Sequence, residues 1–478
     1  MEKSIELKVG LEIHQQLDTG KLFCRCPSII RQDTPNVIIN RKLHAVKGES
    51  GEIDKAAEFE SGKEKEFIYQ GYNDSTCLLE YDECPPYEIN QEALQIALQV
   101  SLLMNCDIIQ DTQIMRKTVV DGSNTSGFQR TLLLARNGFI ETNSGRVGIQ
   151  SVCLEEDAAR IISQESEKVI YRLDRLGIPL LEIATKPEIK SPEQAKEAAL
   201  KIGEILRACK VKRGIGTIRQ DVNVSIKSGS KQGARIEIKG VQEPELISKT
   251  INSEIERQQE LLKQNRSISE VRRANPDGTT SFLRPMPGAD RMYPETDLPL
   301  LHISKEMLDN ARKTLPKLKT ELIEELASQG LNLELTRLVL DKNKLEDFKE
   351  LSKIYKSPSL IAKIVALWPN ELASKLNKPE EELNLHLDVL ESILKALIEK
   401  KITESEIKPI MLELAEGKEL KDILAKEKSQ INLEEEIHKI IKEKPGLSEN
   451  AYMGLVMAKF KGQVQGSEVM KIINKLIK

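Results

Sequence analysis

The sequence predicts an α+β fold: an antiparallel β-sheet built within residues 1–303, followed by helices to the end of the chain. Three observations carry this. Residues 4–17, SIELKVGLEIHQQL, alternate with a period of two. Ile5, Leu7, Val9, Leu11 and Ile13 take one side and Glu6, Lys8, Gly10, Glu12 and His14 the other, as in a half-buried strand. Residues 217–226, TIRQDVNVSI, repeat the alternation, and the turn KSGSKQGA returns the chain into RIEIKGV, so two polar rows share one face of a hairpin. From Ser304 onward the texture changes to Lys, Glu, Leu and Ile at helical spacing, with breaks marked by Pro379 and Lys408-Pro409.

Composition narrows the class. A chain of 478 residues suggests about two to four domains. Charged residues make up 31% and aromatics 4%, which points to lean cores and long charged helices. The formal charge of −4 gives no global bias toward nucleic acid and leaves only local basic patches for that role. No run of about 18 apolar residues is present, and no charged and apolar leader precedes the first strand. The expectation is a cytoplasmic protein with no membrane segment. Seven cysteines, an odd number, argue against a disulfide framework. Cys24 and Cys26 form a CxC pair, with Cys77 and Cys84 further on. Brought together they make a tetrahedral zinc site; otherwise they are four unlinked buried thiols, and the spacing does not decide.

In chain order, Glu12 and His14 project from the same polar strand face, where they are either solvated or, as carboxylate and imidazole, paired metal ligands. Residues 18–88 read as loops and short strands. Residues 91–104 have helical spacing at Leu94, Ala97, Leu98 and Leu102, with Asn90 as N-cap. Arg116-Lys117 precede the loop Asp121–Gly127, DGSNTSG, which is an ordinary turn or a cradle for phosphate or ribose oxygens. It is not a P-loop, because GxxxxGK[ST] is absent.

Residues 147–187 are the stretch around which the chain is organised. One apolar segment ends in Glu155-Glu156-Asp157, and another runs from Asp174-Arg175 to Glu182 inside PLLEIA. Consecutive acids suit an exposed helix start, which describes Glu156 or Asp157. It does not describe Glu182, because a carboxylate in an apolar run is costly to bury without a metal or cation. Ser191-Pro192-Glu193-Gln194 then opens a helix with an N-cap, an N1 proline and a capping box. In the hairpin, Arg219, Asp221 and Asn223 line one face with Arg235, Glu237 and Lys239: a solvated sheet face, or a charged floor under an anionic substrate. A helix is expected over 244–264 and a structured loop over 284–299. Over residues 451–478, Lys459, Lys461, Lys471, Lys475 and Lys478 face a single acid, Glu468, a modest nucleic-acid signal.

These motifs resemble the GatB/GatE family of tRNA-dependent amidotransferase subunits, and most closely its archaeal E-type branch. The resemblance rests on VGLEIHQQL at 9–17, KLFCRC at 21–26, RKTVVDGSNTSGFQRT at 116–131 and CLEEDAARI at 153–161. It continues through YRLDRLGIPLLEIATKPEI at 171–189, RQDVNVSI at 219–226, RIEIKGVQ at 235–242 and RMYPETDLP at 291–299. The C-terminal AYMGLVMAKFKGQVQGSEVMKIINK is similar to the family's tail module. One feature departs from the pattern. The E-type branch carries an inserted domain, similar to one in bacterial aspartyl-tRNA synthetase, where Gln264-Asn265-Arg266 here runs almost directly into Glu270-Val271-Arg272.

The resemblance implies a β-sheet cradle over 1–303, a helical domain over 304–402 and a small tRNA-binding tail over 403–478. It implies ATP- and Mg²⁺-dependent phosphorylation of glutamate carried on tRNA(Gln). Amidation would follow with ammonia from a partner amidase, asparaginase-like for the E-type branch. It assigns Glu12, His14, Glu155 and Glu182 to the catalytic Mg²⁺ cluster. Arg116, Lys117, Arg219, Arg235 and Lys239 go to the phosphates, with Asp174 and Glu237 orienting those cations. Cys24, Cys26 and Cys77 match positions of metal-binding cysteines, with Cys84 as candidate fourth zinc ligand; Lys459, Lys461, Lys471 and Lys475 are the tRNA-binding candidates. A non-catalytic scaffold would have lost the acidic cluster, which this chain keeps.

Overall fold

The computed structural model describes residues 5–42, 65–119, 121–286, 292–425, 433–460 and 466–477. The chain forms two compact units, Met1–Leu318 and Lys319–Lys478. Strands of the first unit longer than two residues are β1 (Ile5–Gln16), β2 (Val37–Arg41), β3 (Glu66–Gly71), β4 (Met115–Thr118), β5 (Phe128–Thr142), β6 (Gly145–Glu156) and β7 (Arg160–Gln164). They continue with β8 (Lys168–Arg172), β9 (Pro179–Thr185), β10 (Ile218–Ser228), β11 (Ile236–Lys239), β12 (Glu270–Ala274), β13 (Thr280–Pro285) and β14 (Met292–Pro294). The accompanying helices are α1 (Gln91–Leu103), α2 (Pro192–Ala208), α3 (Pro244–Lys263) and α4 (Lys305–Lys313).

The main sheet runs β13-β12-β11-β10-β1-β9-β6-β5-β4-β14. Every neighbouring pair is antiparallel except β11 and β12. A parallel pair needs a crossover, and α3 supplies it. The chain leaves α3 through Asn265, which adopts a left-handed φ of 54°, and enters β12 five residues later at Glu270. The strand–helix–strand unit is therefore closed at the point where the resemblance leads to the expectation of an inserted domain. A second sheet, β2-β3-β8-β7, packs around Phe67, Tyr69, Val169 and Tyr171.

The α+β architecture follows from the alternation. Val9, Leu11 and Ile13 of β1, Ile183 of β9 and Val222 and Val224 of β10 are buried in one core with the apolar faces of α1, α2 and α3. Each such side chain contributes about 1.5–3 kcal/mol. A one-residue slip would put them in water, so register is tightly specified. The caps form as the residue types require. Asn90 Oδ1 accepts from Glu92 N (3.0 Å) and Ala93 N (3.1 Å), and Ser191 Oγ accepts from Gln194 N (3.1 Å). The expected capping box at α2 is shifted, because Gln194 Oε1 reaches Lys190 N (3.1 Å) rather than the N-cap amide. Part of the loop expected over 284–299 is strand: β14 pairs with β4 at the sheet edge. Ile303 and Ala311 pack into the same core.

In the second unit, helices within 319–425 share one apolar core, with Ile402 and Ile407 both inside it. Pro409, expected to break the chain, lies inside the helix Glu404–Ala415. It is the sixth of twelve residues, where it removes one i→i−4 hydrogen bond and its ring crowds a carbonyl of the preceding turn, so the helix carries it at a cost. Described residues within 433–460 and 466–477 form a separate cluster around Ile437, Tyr452, Val456, Val469 and Ile473.

Candidate active site and cysteine cluster

The strand pairing assembles one polar row across the main sheet from residues far apart in sequence. On β1, His14 stands opposite Glu182 of β9 and Arg219 of β10, and Glu12 opposite Asp221. On the far side of β9, Glu182 stands opposite Cys153 of β6, and Glu155 opposite Thr131 of β5. His14 Nε2 lies 3.4 Å from Glu182 Oε2 and 3.8 Å from Glu12 Oε1. Donor atoms of Glu12, His14 and Glu182 all fall within 4.8 Å of one another. Lys117 extends from β4 and places Nζ 3.0 Å from Glu182 Oε2 and 2.9 Å from Glu155 Oε1. Glu155 is also held by Thr131 Oγ1 (2.8 Å) and Gln129 Nε2 (2.9 Å). Glu155 therefore belongs to the row but not to the close trio.

Burial and charge set the ionisation of this row. Burial raises the Glu12 carboxyl, and the charge of Glu182 raises it further. Burial and Glu182 likewise raise Glu155. Burial works to raise Glu182 too, but Lys117 and His14 outweigh it and hold that carboxyl below the usual range. Burial works to lower His14 and Lys117. The hydrogen bond and charge of Glu182 outweigh it at His14, and Glu155 with Glu182 outweigh it at Lys117, so both cations are favoured. Two carboxylates and an imidazole this close suit a divalent cation that completes its shell with water and phosphate oxygens.

The expected phosphate-binding cations are spread more widely. Arg219 Nη2 pairs with Asp157 Oδ1 (2.9 Å), and Lys239 pairs with Asp221 (2.8 Å) and Glu237 (2.6 Å), both beside the trio. Arg235 is exposed and bonds Asn223 Oδ1 (3.0 Å). Arg116 is not brought to the row. Adjacent residues of a strand point to opposite faces, so Lys117 enters the row while Arg116 turns to Glu295 and to Asp297 (3.2 Å) and stacks over the Phe128 ring. Asp174 does not orient the phosphate candidates; it pairs with Arg160 (2.7 Å) and accepts from Arg31 N (2.8 Å). Asp157 does that for Arg219, and Gln16 Nε2 fixes Asp157 at 2.6 Å.

The same alternation separates Glu155 from Glu156. Glu156 and Asp157 are buried at the end of β6, not exposed at a helix start. Glu156 faces Arg130, which pairs with Glu295 (2.8 Å), so Glu156, Arg130, Glu295 and Arg116 form a second buried ionic network behind the row. The loop Asp121–Gly127 is packed as a turn. Ser123 N donates to Asp121 Oδ1 (3.0 Å), and Tyr69 and Tyr171 hydroxyls donate to the Gly122 and Asp121 carbonyls.

Three of the four cysteines converge. Ligand atoms of Cys24, Cys26, Cys77 and Glu80 lie within 4.8 Å of one another. Glu80, three residues after Cys77, takes the place expected for Cys84, which packs against the core instead. Glu80 Oε1 accepts from Lys21 Nζ (3.0 Å), and Oε2 from Cys77 N (2.8 Å). Hydrogen bonding to Cys24 and Cys26 holds Cys77 well below the usual thiol range, while Cys24 is pushed up and Cys26 rises to about 11. Three cysteine sulfurs and a carboxylate within reach of one ion fit a thiolate-rich zinc site. Of the tail lysines, Lys459 pairs with Glu436 (2.9 Å) and Lys475 with Glu434 (2.8 Å), Lys471 is exposed, and Lys461 lies outside the described residues.

Residues 7–309 match the GatB/GatE catalytic domain. The chain is 37% identical to the glutamyl-tRNA(Gln) amidotransferase E subunit of Methanocaldococcus jannaschii, in an alignment covering 100% of this chain and 99% of that protein. It is 35% identical to the corresponding E subunit of Archaeoglobus fulgidus, over 100% and 98%. Against that of Sulfurisphaera tokodaii it is 34% identical, over 98% of each. The first alignment runs over 630 positions against the 478 residues here, so that relative carries sequence with no counterpart in this chain. No described helix is long and apolar enough to cross a membrane.

Proposed function

The chain belongs to the GatB/GatE family, among the glutamyl-tRNA(Gln) amidotransferase E subunits, and from that premise we propose that it converts glutamate esterified to tRNA(Gln) into glutamine in the cytoplasm. In the first step a side-chain carboxylate oxygen bonds to the γ-phosphorus of ATP and the bond to ADP breaks. In the second, ammonia attacks the acyl carbon and phosphate leaves. The ammonia comes from a partner amidase of asparaginase-like type. Phosphoryl transfer asks for positioning and charge more than for covalent help.

The observation that carries the proposal is the convergence of Glu12, His14 and Glu182, with Lys117 bridging Glu182 to Glu155. Glu12, His14 and Glu182 would hold a Mg²⁺ ion, which would neutralise phosphate charge as the phosphoryl group moves. Lys117, Arg219 and Lys239 stand around them to meet phosphate oxygens, with Arg235 further out, just before β11. Asp157 and Glu237 fix the directions of Arg219 and Lys239. Cys24, Cys26 and Cys77 with Glu80 would hold a zinc ion, which would serve a structural role. The tail beyond 433 serves tRNA affinity.

The test is Glu182→Gln, assayed for ATP-dependent formation of phosphoglutamyl-tRNA with ammonia withheld. The expected loss is on the order of 10²–10³-fold, as for removal of one preorganised charge-stabilising group. A folded variant working at the wild-type rate would overturn the assignment.

A further inference from the structure

The cysteine cluster rests on a buried lysine, Lys21. Its side chain is 0% exposed and that of Glu80 2%. Glu80 is the one acid paired with it among the described residues, at 3.0 Å. A buried ammonium is costly without such a partner, so the place of Lys21 is tied to that of Glu80. The backbone fixes the lysine as well. Its N–H donates to the Cys26 carbonyl (3.0 Å), and its carbonyl accepts from Asn90 Nδ2 (3.2 Å). The first of these bonds closes the loop that carries Cys24 and Cys26.

Charge gives the lysine a task. Three thiolates and a carboxylate outweigh the charge of one zinc ion, so the loaded cluster would be anionic, and Cys24 and Glu80 are buried. An unneutralised anion in such a place is penalised. Lys21 supplies the offset at the one ligand that is not a thiolate. Partners behind a metal ligand also orient it. Glu80 is held at both oxygens, Oε1 by Lys21 and Oε2 by the Cys77 N–H (2.8 Å). Oε1 also lies 3.1 Å from Cys24 Sγ, so the oxygen that Lys21 holds is one that faces the thiols.

The second bond of the ammonium leads out of the cluster. Nζ donates to the Leu173 carbonyl (3.2 Å), at the head of the turn 173–178. Leu22 N donates to the Gly177 carbonyl (2.8 Å), and Gly177 N to the carbonyl of Asp157 (2.9 Å), the residue that holds Arg219. The packing here is close: at Gly177, where φ is +83°, a Cβ would stand 3.5 Å from Lys21 Cδ and 3.6 Å from Glu80 Oε1.

We propose that Lys21 is a positioning residue of the zinc site: it fixes Glu80 as the carboxylate ligand, offsets the charge of the loaded cluster, and ties the metal to the turn 173–178. This rests on the zinc site proposed above and names the segment that the metal steadies.

The test is the zinc affinity of the full chain, stripped and then titrated in competition with a chromophoric chelator, in a double-mutant cycle. Lys21→Met should weaken zinc binding by about 10–100-fold. In the Glu80→Gln background the same substitution should not weaken it, because the group through which the lysine acts is gone. An equal loss in both backgrounds, or none in either, overturns the role of Lys21 and leaves the zinc site standing. A wild type that binds no zinc removes the site and the role together. If Lys21→Met alone does not fold, the Glu80→Gln background decides: a loss on the order of tenfold there overturns the role, and unchanged or tighter binding upholds it. A second measurement needs no variant. Deuterium uptake by the backbone amides of 173–178 should rise several-fold when zinc is stripped from wild type, and unchanged uptake overturns the tie between metal and turn.

Discussion

Replacing Arg130 with Met should destabilise the first unit severely, and the defect should depend on pH in a defined direction. Arg130 is 6% exposed, and its guanidinium lies 2.8 Å from Glu295 and 3.5 Å from Glu156. Glu295 keeps Arg116, but Glu156 has no other side-chain cation among the described ion pairs. Removing one partner of a buried pair costs about 3–5 kcal/mol, because a charge is left uncompensated. Each kcal/mol moves Tm by about 2–4 °C in a unit of this size, so the transition should fall by roughly 6–20 °C. Burial already raises the folded-state pKa of Glu156, and Arg130 opposes that rise. Without the arginine the folded pKa climbs further above the unfolded one. Such a group costs stability as pH rises through its folded pKa, and that cost vanishes once it is protonated. The difference between variant and wild type should therefore be largest near pH 8 and shrink toward pH 5. Thermal melts across that range measure it. A deficit that is constant with pH, or that grows on acidification, would refute the account of Glu156 as the stranded charge.

Zinc should be present at about one per chain, lost in Cys77→Ser, weakened in Glu80→Gln and unaffected in Cys84→Ser, as read by metal analysis of purified protein. Gly122→Ala should cost about 1–3 kcal/mol or more in a denaturant melt, because φ is +81° there and an added Cβ would lie 2.3 Å from the Phe67 ring. Removing residues 433–478 should raise the KM for glutamyl-tRNA and flatten its salt dependence, while asparagine hydrolysis by the partner amidase changes little. Its lysine pairs with Glu434 and Glu436 are exposed and cheap to exchange for phosphates. Unchanged KM and salt slope after truncation would assign tRNA recognition elsewhere.

Much of this site can be read from local periodicity. Alternation in SIELKVGLEIHQQL puts Glu12 and His14 on one face, and PLLEIA marks Glu182 as a buried carboxylate in need of a cation. Both are properties of a few consecutive residues; in the structure Glu12 and His14 share a face, and Glu182 is half-buried with Lys117 as its cation. The same alternation applied to 116–117 and 155–156 separates Lys117 from Arg116 and Glu155 from Glu156. Treating each adjacent pair as one motif conceals that split, together with the second network behind the sheet. The Asn90 and Ser191 caps and the buried hairpin face are legible for the same local reason.

Which strands meet is decided only in three dimensions. His14 faces Glu182 and Arg219 because β1 pairs with β9 on one side and β10 on the other, and no spacing in the chain encodes those neighbours. Cys24 and Cys26 meet Cys77 only once the loops between them are folded, and the backbone around Cys77 then presents Glu80 where Cys84 was expected. Lys459 and Lys475 look unopposed in sequence because their acids, Glu436 and Glu434, lie on an earlier helix that packing brings alongside. Residue type and period settle which face a side chain takes, since those depend on backbone geometry alone. The partner across that face is set by register and packing over the whole core, and this tertiary step turns separated acids, bases and thiols into sites.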